Sequence, residues 1–358
     1  MQSNDADHFF QSDRDLELAA AREAKKQSLL AAKPGATKSL SVAKATSKVL
    51  CWRLVRGTED KVLAVVGESG HVARMTDLAT GRASVTYRGH KGPVTCVEIQ
   101  YDSASGTPGF VLTGSWDKSI RKFDAKTGES LQTFTGHADF VKCILLVPAF
   151  VDSKLSYILL SGSSDSTIKK WDTNAGKLLQ TWKSHTRPVE ALVLAESDEA
   201  TAQILHVYSG SSDTSIRKWD VEAGTVMQTL PGHLTSVYNL AMVDDELWSV
   251  SADKTAKRWN LEAAKPDSSF EHPDFVKCIC VHGSYVITGC RDENIRVFDL
   301  TSEKCINVIE GHFGEVSCLE VAGGRLWSGS LDATIRSWDL AGGIFFVHVA
   351  WGKFTPLL

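Results

Sequence analysis

Residue types that can run nucleophilic catalysis recur at fixed spacing along this chain. His90, His137, His185, His233, His272 and His312 each precede a hydroxyl residue (Thr113, Ser161, Ser209, Ser249, Thr288, Ser328) and then an aspartate (Asp117, Asp165, Asp213, Asp253, Asp292, Asp332). A serine deprotonated by a histidine that an aspartate orients is the nucleophile of a hydrolase, and it needs one such set beside an oxyanion hole. Six sets imply a task performed in every copy, so no catalytic residue is assigned and no enzyme activity is expected. The chain has no P-loop, no GxGxxG after a strand, no HExxH and no CxxC pairs, and no cofactor is expected. Eight cysteines invite a metal reading. Cys51, Cys96, Cys143, Cys278 and Cys318, however, occupy one repeat position, two residues after the first valine of a strand, so they are spread one per copy as small core residues and no metal site is assigned.

The elements that must position these residues are written in the repeat itself. SGSSDSTIKKWD (161–172) recurs as TGSWDKSIRKFD, SGSSDTSIRKWD, SVSADKTAKRWN, TGCRDENIRVFD and SGSLDATIRSWD. Small residues and an Asp mark a tight turn, and the flanking alternation marks two strands, so each copy is a hairpin. The His-to-Asp interval is 27 or 28 residues in three copies and 20 in the other three, which is one unit whose loop can lengthen. A valine lies four residues after each His and opens a strand that is apolar on both faces (VTCVEI, VKCILL, VEALVL, VYNLAM, VKCICV, VSCLEV), as an inner strand between neighbouring units must be.

Gly-His, then Ser/Thr, Asp and Trp-Asp resembles the WD-repeat family, over residues from about 48 to 351. The resemblance implies an all-β fold, a seven-bladed β-propeller of four-stranded blades. Blade one, about 48–88, is degenerate: Asp77 stands where later copies have Trp-Asp, and no turn aspartate precedes it at the usual spacing. By resemblance, His137–Ser161–Asp165–Trp171, His185–Ser209–Asp213–Trp219, His233–Ser249–Asp253–Trp259 and His312–Ser328–Asp332–Trp338 form hydrogen-bonded structural tetrads. The sets ending in Phe123 and Phe298 lack the indole donor, so those blades are expected to be less rigid.

Ahead of the propeller, SDRDLELAAAREAKKQSLLAA (12–32) reads as a helix within a 1–40 extension, stopped by Lys33-Pro34-Gly35. After Asp339, FFVHV (345–349) aligns with LLQTW (178–182) and is expected to complete the last blade, with residues 40–47 the weaker candidate. Alternating connections place the His loops and Asp turns on one face. The longer segments 101–109, 148–156 and 196–203 are expected as loops forming a lip on the other.

What repeats carries the fold, so what differs between blades should carry function. Around the central opening of the His/Asp face the varying positions offer Trp116, Phe140, Lys142, Arg187, Tyr238, Phe275, Lys277, Arg291 and Phe313. Aromatics among Lys and Arg suit a peptide with apolar anchors and acidic or phosphorylated groups. Lys142, Lys277 and Arg291 are the strongest candidates. An arginine before the turn Asp, as Arg291 is, resembles the phosphodegron-binding blades of F-box/WD-repeat receptors, although residues 1–40 are too short and polar for an F-box. A helix plus seven blades resembles G-protein β subunits in layout.

The expected role is a non-enzymatic scaffold or adaptor for protein or phosphopeptide partners in a multiprotein complex. The alternatives are an RNA- or ribonucleoprotein-associated assembly factor and a G-protein β-like signalling subunit. A formal charge of −4 over 358 residues speaks against nucleic acid. With no run of 18 apolar residues and an acidic N-terminus, no membrane partner is expected, and the location expected is cytoplasmic, with nuclear the second choice. No small-molecule substrate is implied.

Overall fold

A computed structural model of the chain describes residues 41–55, 62–102, 105–151, 154–195 and 206–339. The chain divides into Met1–Lys38 and Ser39–Leu358, and all described residues belong to the second unit. The helix expected over 12–32 lies outside them.

Seven antiparallel four-stranded sheets make up the described residues, six of them sequential a-b-c-d meanders from the centre outward and the seventh taking its outer strand from the N-terminal side. Blade three shows the plan: strand a is Val141–Val151, b Lys154–Ser163, c Thr167–Asp172 and d Leu178–Lys183. The a strands open at Val49, Val94, Val141, Val189, Val237, Val276 and Val316, and every one of these valines is fully buried. Each inner strand packs on the next, and that of blade seven packs on blade one, which closes the ring. A bulge follows the opening valine in every blade. The outer strands of blades two, three and four bury only one residue each, as an edge facing solvent should.

The b–c turns share one conformation. The residue after the turn aspartate has a left-handed backbone in all six copies (Lys118, Ser166, Thr214, Lys254, Glu293, Ala333; φ 61–74°). That is the three-residue hairpin in which a type I turn is followed by a left-handed residue. The aspartate stabilises it by accepting from the N–H two residues on, as Asp165 Oδ1 does from Thr167 at 3.0 Å.

The five repeat-position cysteines pack against a glycine of strand b. A Cβ on Gly114, Gly162 or Gly289 would lie 2.5–2.6 Å from Cys96, Cys143 or Cys278 Sγ. Blade five has Val250 in place of that glycine and Asn239 in place of the cysteine, whereas blade four keeps Gly210 beside Ala191. Burial pushes the thiols of Cys96 and Cys318 up to about 12, and those of Cys51, Cys143 and Cys278 upward too, so they stay protonated as small core side chains.

Two expectations about the periphery are corrected. The outer strand of blade seven is Ser41–Lys44, paired with Thr334–Ser337, so the N-terminal side of the ring is the segment that closes it; residues 345–349 lie outside the described residues. A strand at 41–44 needs only four residues to span the pairing, which is why its weak apolar pattern understated it. The segment 148–156 is not a loop either. Strands a and b of blade three continue through it with pairing from Val147↔Ile158 to Val151↔Lys154, extended by the strand-prone Phe150 and Val151. Asp102 and residues 105–107 do lie in the connection between strands a and b of blade two, with Asp102 N donating to Thr107 O at 2.9 Å, while 196–203 fall outside the described residues.

Candidate functional site

The His/Asp face is built from the recurring hydrogen-bonded sets. In blade three Trp171 Nε1–H donates to Ser161 Oγ at 2.8 Å, the Ser161 hydroxyl meets His137 Nε2 at 2.7 Å, and His137 Nδ1–H donates to Asp165 Oδ2 at 2.8 Å. Blades four, five and seven repeat the chain with every link between 2.6 and 2.9 Å. These are the distances of a nucleophilic triad, but Ser161, Ser209, Ser249 and Ser328 are wholly inaccessible. Each hydroxyl also serves as acceptor for an indole. Nothing outside the protein can reach these oxygens, and their work is to tie the d–a loop to strands b and c.

The second oxygen contact of each aspartate extends that tie. Asp165 Oδ2 also accepts from Ala138 N at 2.9 Å, and Asp213, Asp253, Asp332 and Asp117 accept from the residue after their own His. Burial alone would raise the Asp165 carboxyl. Its bonds from His137, Thr167 and Ala138 outweigh that and hold it well below the usual carboxylate range. Asp117 is held down to about 2 against the same desolvation by Ser119, Lys91 and His90. Burial lowers His90, His185 and His312, so they are neutral, consistent with Nδ1 as donor and Nε2 as acceptor.

Blade six departs from the expected set. His272 Nε2 meets Thr288 Oγ1 at 2.8 Å, but Nδ1–H donates to Phe270 O at 2.9 Å and not to Asp292. Asp292 instead takes both arms of Arg296, at 3.1 and 2.5 Å. The reason is legible in the chain: the residue after His272 is Pro273, which has no N–H to give the aspartate. Cys290 also replaces the serine whose hydroxyl in other blades links the turn to the loop, as Ser163 Oγ does to Asp139 O.

Blade one holds a network that the repeat pattern hides. Glu68 occupies the place of that same serine and is nearly inaccessible. Its carboxylate accepts from Thr46 Oγ1 at 2.6 Å, from Ser47 N and Oγ at 3.1 Å, and from the Arg74 guanidinium. Thr46 and Ser47 join the closing strand 41–44 to blade one, so a buried ion pair fastens the ring where it shuts. Glu in VVGESG (65–70), where other copies carry a second serine or its cysteine replacement, was the available signal.

Around the central opening the predicted residues fall into small contact groups. Trp116 of blade two stacks on Phe140 of blade three, with centroids 5.1 Å apart and planes 15° off parallel; they remain 42% and 37% exposed. Lys142 pairs with Glu190 at 3.5 Å, and Glu190 accepts from Ser212 Oγ at 3.0 Å. Lys277 Nζ lies 3.7 Å above the Tyr238 ring and 3.4 Å from Glu315. Arg291 lies 4.0 Å over Phe275 and pairs with Asp274 at 3.0 Å. Phe313 sits under Arg336 at 5.5 Å, and Arg187 is exposed. Leu234, directly after His233, adds an apolar residue 83% exposed on the same face, which the choice of positions missed. All three favoured cations therefore already hold a carboxylate.

A ring of sheets whose polar sets are sealed and whose varied side chains crowd one opening fits a protein-interaction scaffold. The chain belongs to the WD-repeat family: it matches the family described as WD domain, G-beta repeat over residues 81–124, 128–172, 176–220, 224–260, 264–299 and 303–339. Propellers of this family are generally non-catalytic platforms that bind other proteins. An uncharacterized WD repeat-containing protein of Schizosaccharomyces pombe is 32% identical over 348 residues, covering 95% of this chain and 90% of that protein. Protein groucho of Drosophila melanogaster is 46% identical over 99 residues, which is 27% of this chain and 13% of that protein. Cell division control protein 4 of Saccharomyces cerevisiae is 44% identical over 69 residues, 19% of this chain and 9% of its own.

Proposed function

We propose that this protein is a non-enzymatic adaptor whose His/Asp face binds an extended segment of a protein partner. The observation that carries this reading is the Trp116–Phe140 stack. Large aromatic side chains are normally buried, and here two from adjacent blades are held face to face and open to solvent at the mouth of the ring. Such a rigid pair supplies apolar contact area at little cost in side-chain entropy, the usual character of an interface anchor. The Lys142–Glu190, Lys277–Glu315 and Arg291–Asp274 pairs around it offer both signs of charge for orienting a polar backbone or side chain.

The test is a peptide-display selection on the full chain, followed by affinity measurement with Trp116→Ser/Phe140→Ser. The proposal expects a consensus containing an apolar or aromatic residue and at least a tenfold loss of affinity, about 1.4 kcal/mol, in the variant with its melting curve unchanged. Selected peptides that bind wild type and variant equally would refute it.

A further inference from the structure

The cations at the centre of the His/Asp face are matched by carboxylates, whereas two lysines farther out on blade three are not. Every blade has a basic residue four positions after its turn aspartate or, in blade one, the equivalent Gly70: Arg74, Arg121, Lys169, Arg217, Lys257, Arg296 and Arg336. A neighbouring position at or just past the end of strand d, eleven residues after the Asp or Asn that closes strand c, varies among the first six blades as Arg88, Thr135, Lys183, Pro231, Glu271 and Glu310. Blades five and six thus carry a glutamate there, and in blade one Arg74 is taken by Glu68. Blade three alone of these six combines two cations with no acid of its own to neutralise them.

The pairing register sets Lys169 opposite Thr181 and Thr167 opposite Lys183, so these four alternate residues share one face of the sheet. With Gly136, Ala138, Ser166 and His185 they line a notch of about 490 Å³. Lys169 is only 8% exposed, and its ammonium, which has three N–H donors, has one partner among the described residues, Thr181 Oγ1 at 3.0 Å. Among the described residues neither Lys169 nor Lys183 has a carboxylate within ion-pair distance. The one acid lining the notch, Asp165, has both oxygens engaged by His137, Ala138 and Thr167. At the rim, the Arg217 guanidinium is bonded to Ser184 Oγ, next to Lys183. A nearly buried ammonium with spare donors, a second lysine and the hydroxyls of Ser166 and Thr181 make a receptor for a compact anion with several acceptor oxygens.

We infer that this notch binds a phosphoryl group, carried by a phosphorylated serine or threonine or present as free phosphate. For the peptide-borne case the inference rests on the proposed function. Ala138, in the notch wall, is two residues from Phe140 in the same loop, so a segment anchored on the aromatic stack reaches the notch within two or three of its own residues.

The experiment titrates the full chain with inorganic phosphate and with N-acetyl-phosphoserine N-methylamide, each read by phosphorus-31 linewidth. Saturable binding in roughly the millimolar range is expected. Lys183→Gln should weaken it about tenfold, as loss of one charge-assisted contact would, and Lys169→Gln should do the same. Lys257→Gln, at the equivalent position of blade five, should leave it unchanged. Lys183 is exposed, so its variant folds even where Lys169→Gln does not. Absence of saturation, or a loss that follows Lys257 instead, overturns the site. Phosphoserine peptides that bind at least tenfold tighter than phosphate and lose that margin in Phe140→Ala identify a protein-borne group. Equal affinities identify a free anion and leave the site standing even where the peptide-binding proposal fails.

Discussion

Replacing Asp165 with alanine should destabilise the propeller through one identifiable group. The carboxylate accepts four bonds, from His137 Nδ1, Ala138 N, Thr167 N and Thr167 Oγ1, at 2.6–3.0 Å. Water can replace it at the exposed Ala138 and at the part-buried turn. It cannot easily do so at His137, whose side chain is almost fully enclosed. An orphaned buried donor costs about 1–3 kcal/mol, and loss of charge-assisted bonds adds to it, giving a total of about 3 kcal/mol. At roughly 2 °C per kcal/mol for a chain of this size, the melting midpoint should fall by about 6 °C. The assay is a double-mutant cycle on thermal or urea melts, combining Asp165→Ala with His137→Ala. A coupling of about 1–3 kcal/mol is expected in blade three. The same cycle on His272 and Asp292 should give less than about 0.5 kcal/mol, because those two side chains do not meet. An unchanged melt for Asp165→Ala, or equal coupling in both blades, would refute the reasoning.

The ring closure makes its own prediction: Glu68→Gln strands the part-buried Arg74 and should cost about 3 kcal/mol, read as a lower melting midpoint with faster proteolysis near residues 44–47. The pH dependence follows from the buried histidines. Burial lowers His272 to about 4, so its neutral form is favoured in the folded state; that contribution is complete above about pH 6.5 and is lost as pH falls toward 4, with His90, His185 and His312 acting in the same direction. Asp117, depressed to about 2, acts in the same direction in a lower window: its stabilisation is present above about pH 4 and is lost between 4 and 2. Melts from pH 7 to 5 should therefore fall steadily, and less steeply in His272→Asn; a flat profile over that interval would contradict the neutral-histidine assignment. Gly162→Ala would bring a methyl within 2.6 Å of Cys143 Sγ and 2.7 Å of Val189 Cγ1, costing about 1–3 kcal/mol, and Cys143→Ala in the same chain should recover part of it.

Much of this architecture was legible because each blade repeats the same local solution. Valine four residues after the histidine, serine-glycine-serine before the turn and Trp-Asp after it marked the strands within a blade and the face they share, and the tetrads followed from the family resemblance that those motifs carry. What escaped depends on contacts between distant segments or on a missing atom. The closing strand 41–44 is four residues long and takes its register from blade seven, nearly three hundred residues on, so its own pattern says little. In blade six the absent N–H of Pro273 redirects two side chains, a consequence visible once the repeat is aligned but not in the motif alone. The charge state of the opening was hidden for a different reason. Glu190, Glu315 and Asp274 lie on the same or adjacent blades as Lys142, Lys277 and Arg291, and only the three-dimensional ring shows that they pair.

The central claim is that the His/Asp face is where a partner binds. Hydrogen–deuterium exchange on the full chain, free and saturated with a peptide selected on it, tests this most directly. The account predicts protection in the turn around Trp116, in the loop and strand from Ala138 to Lys142, and at Phe275–Lys277. Protection confined to the opposite face, at residues 105–107 and the long hairpin of blade three, would contradict it.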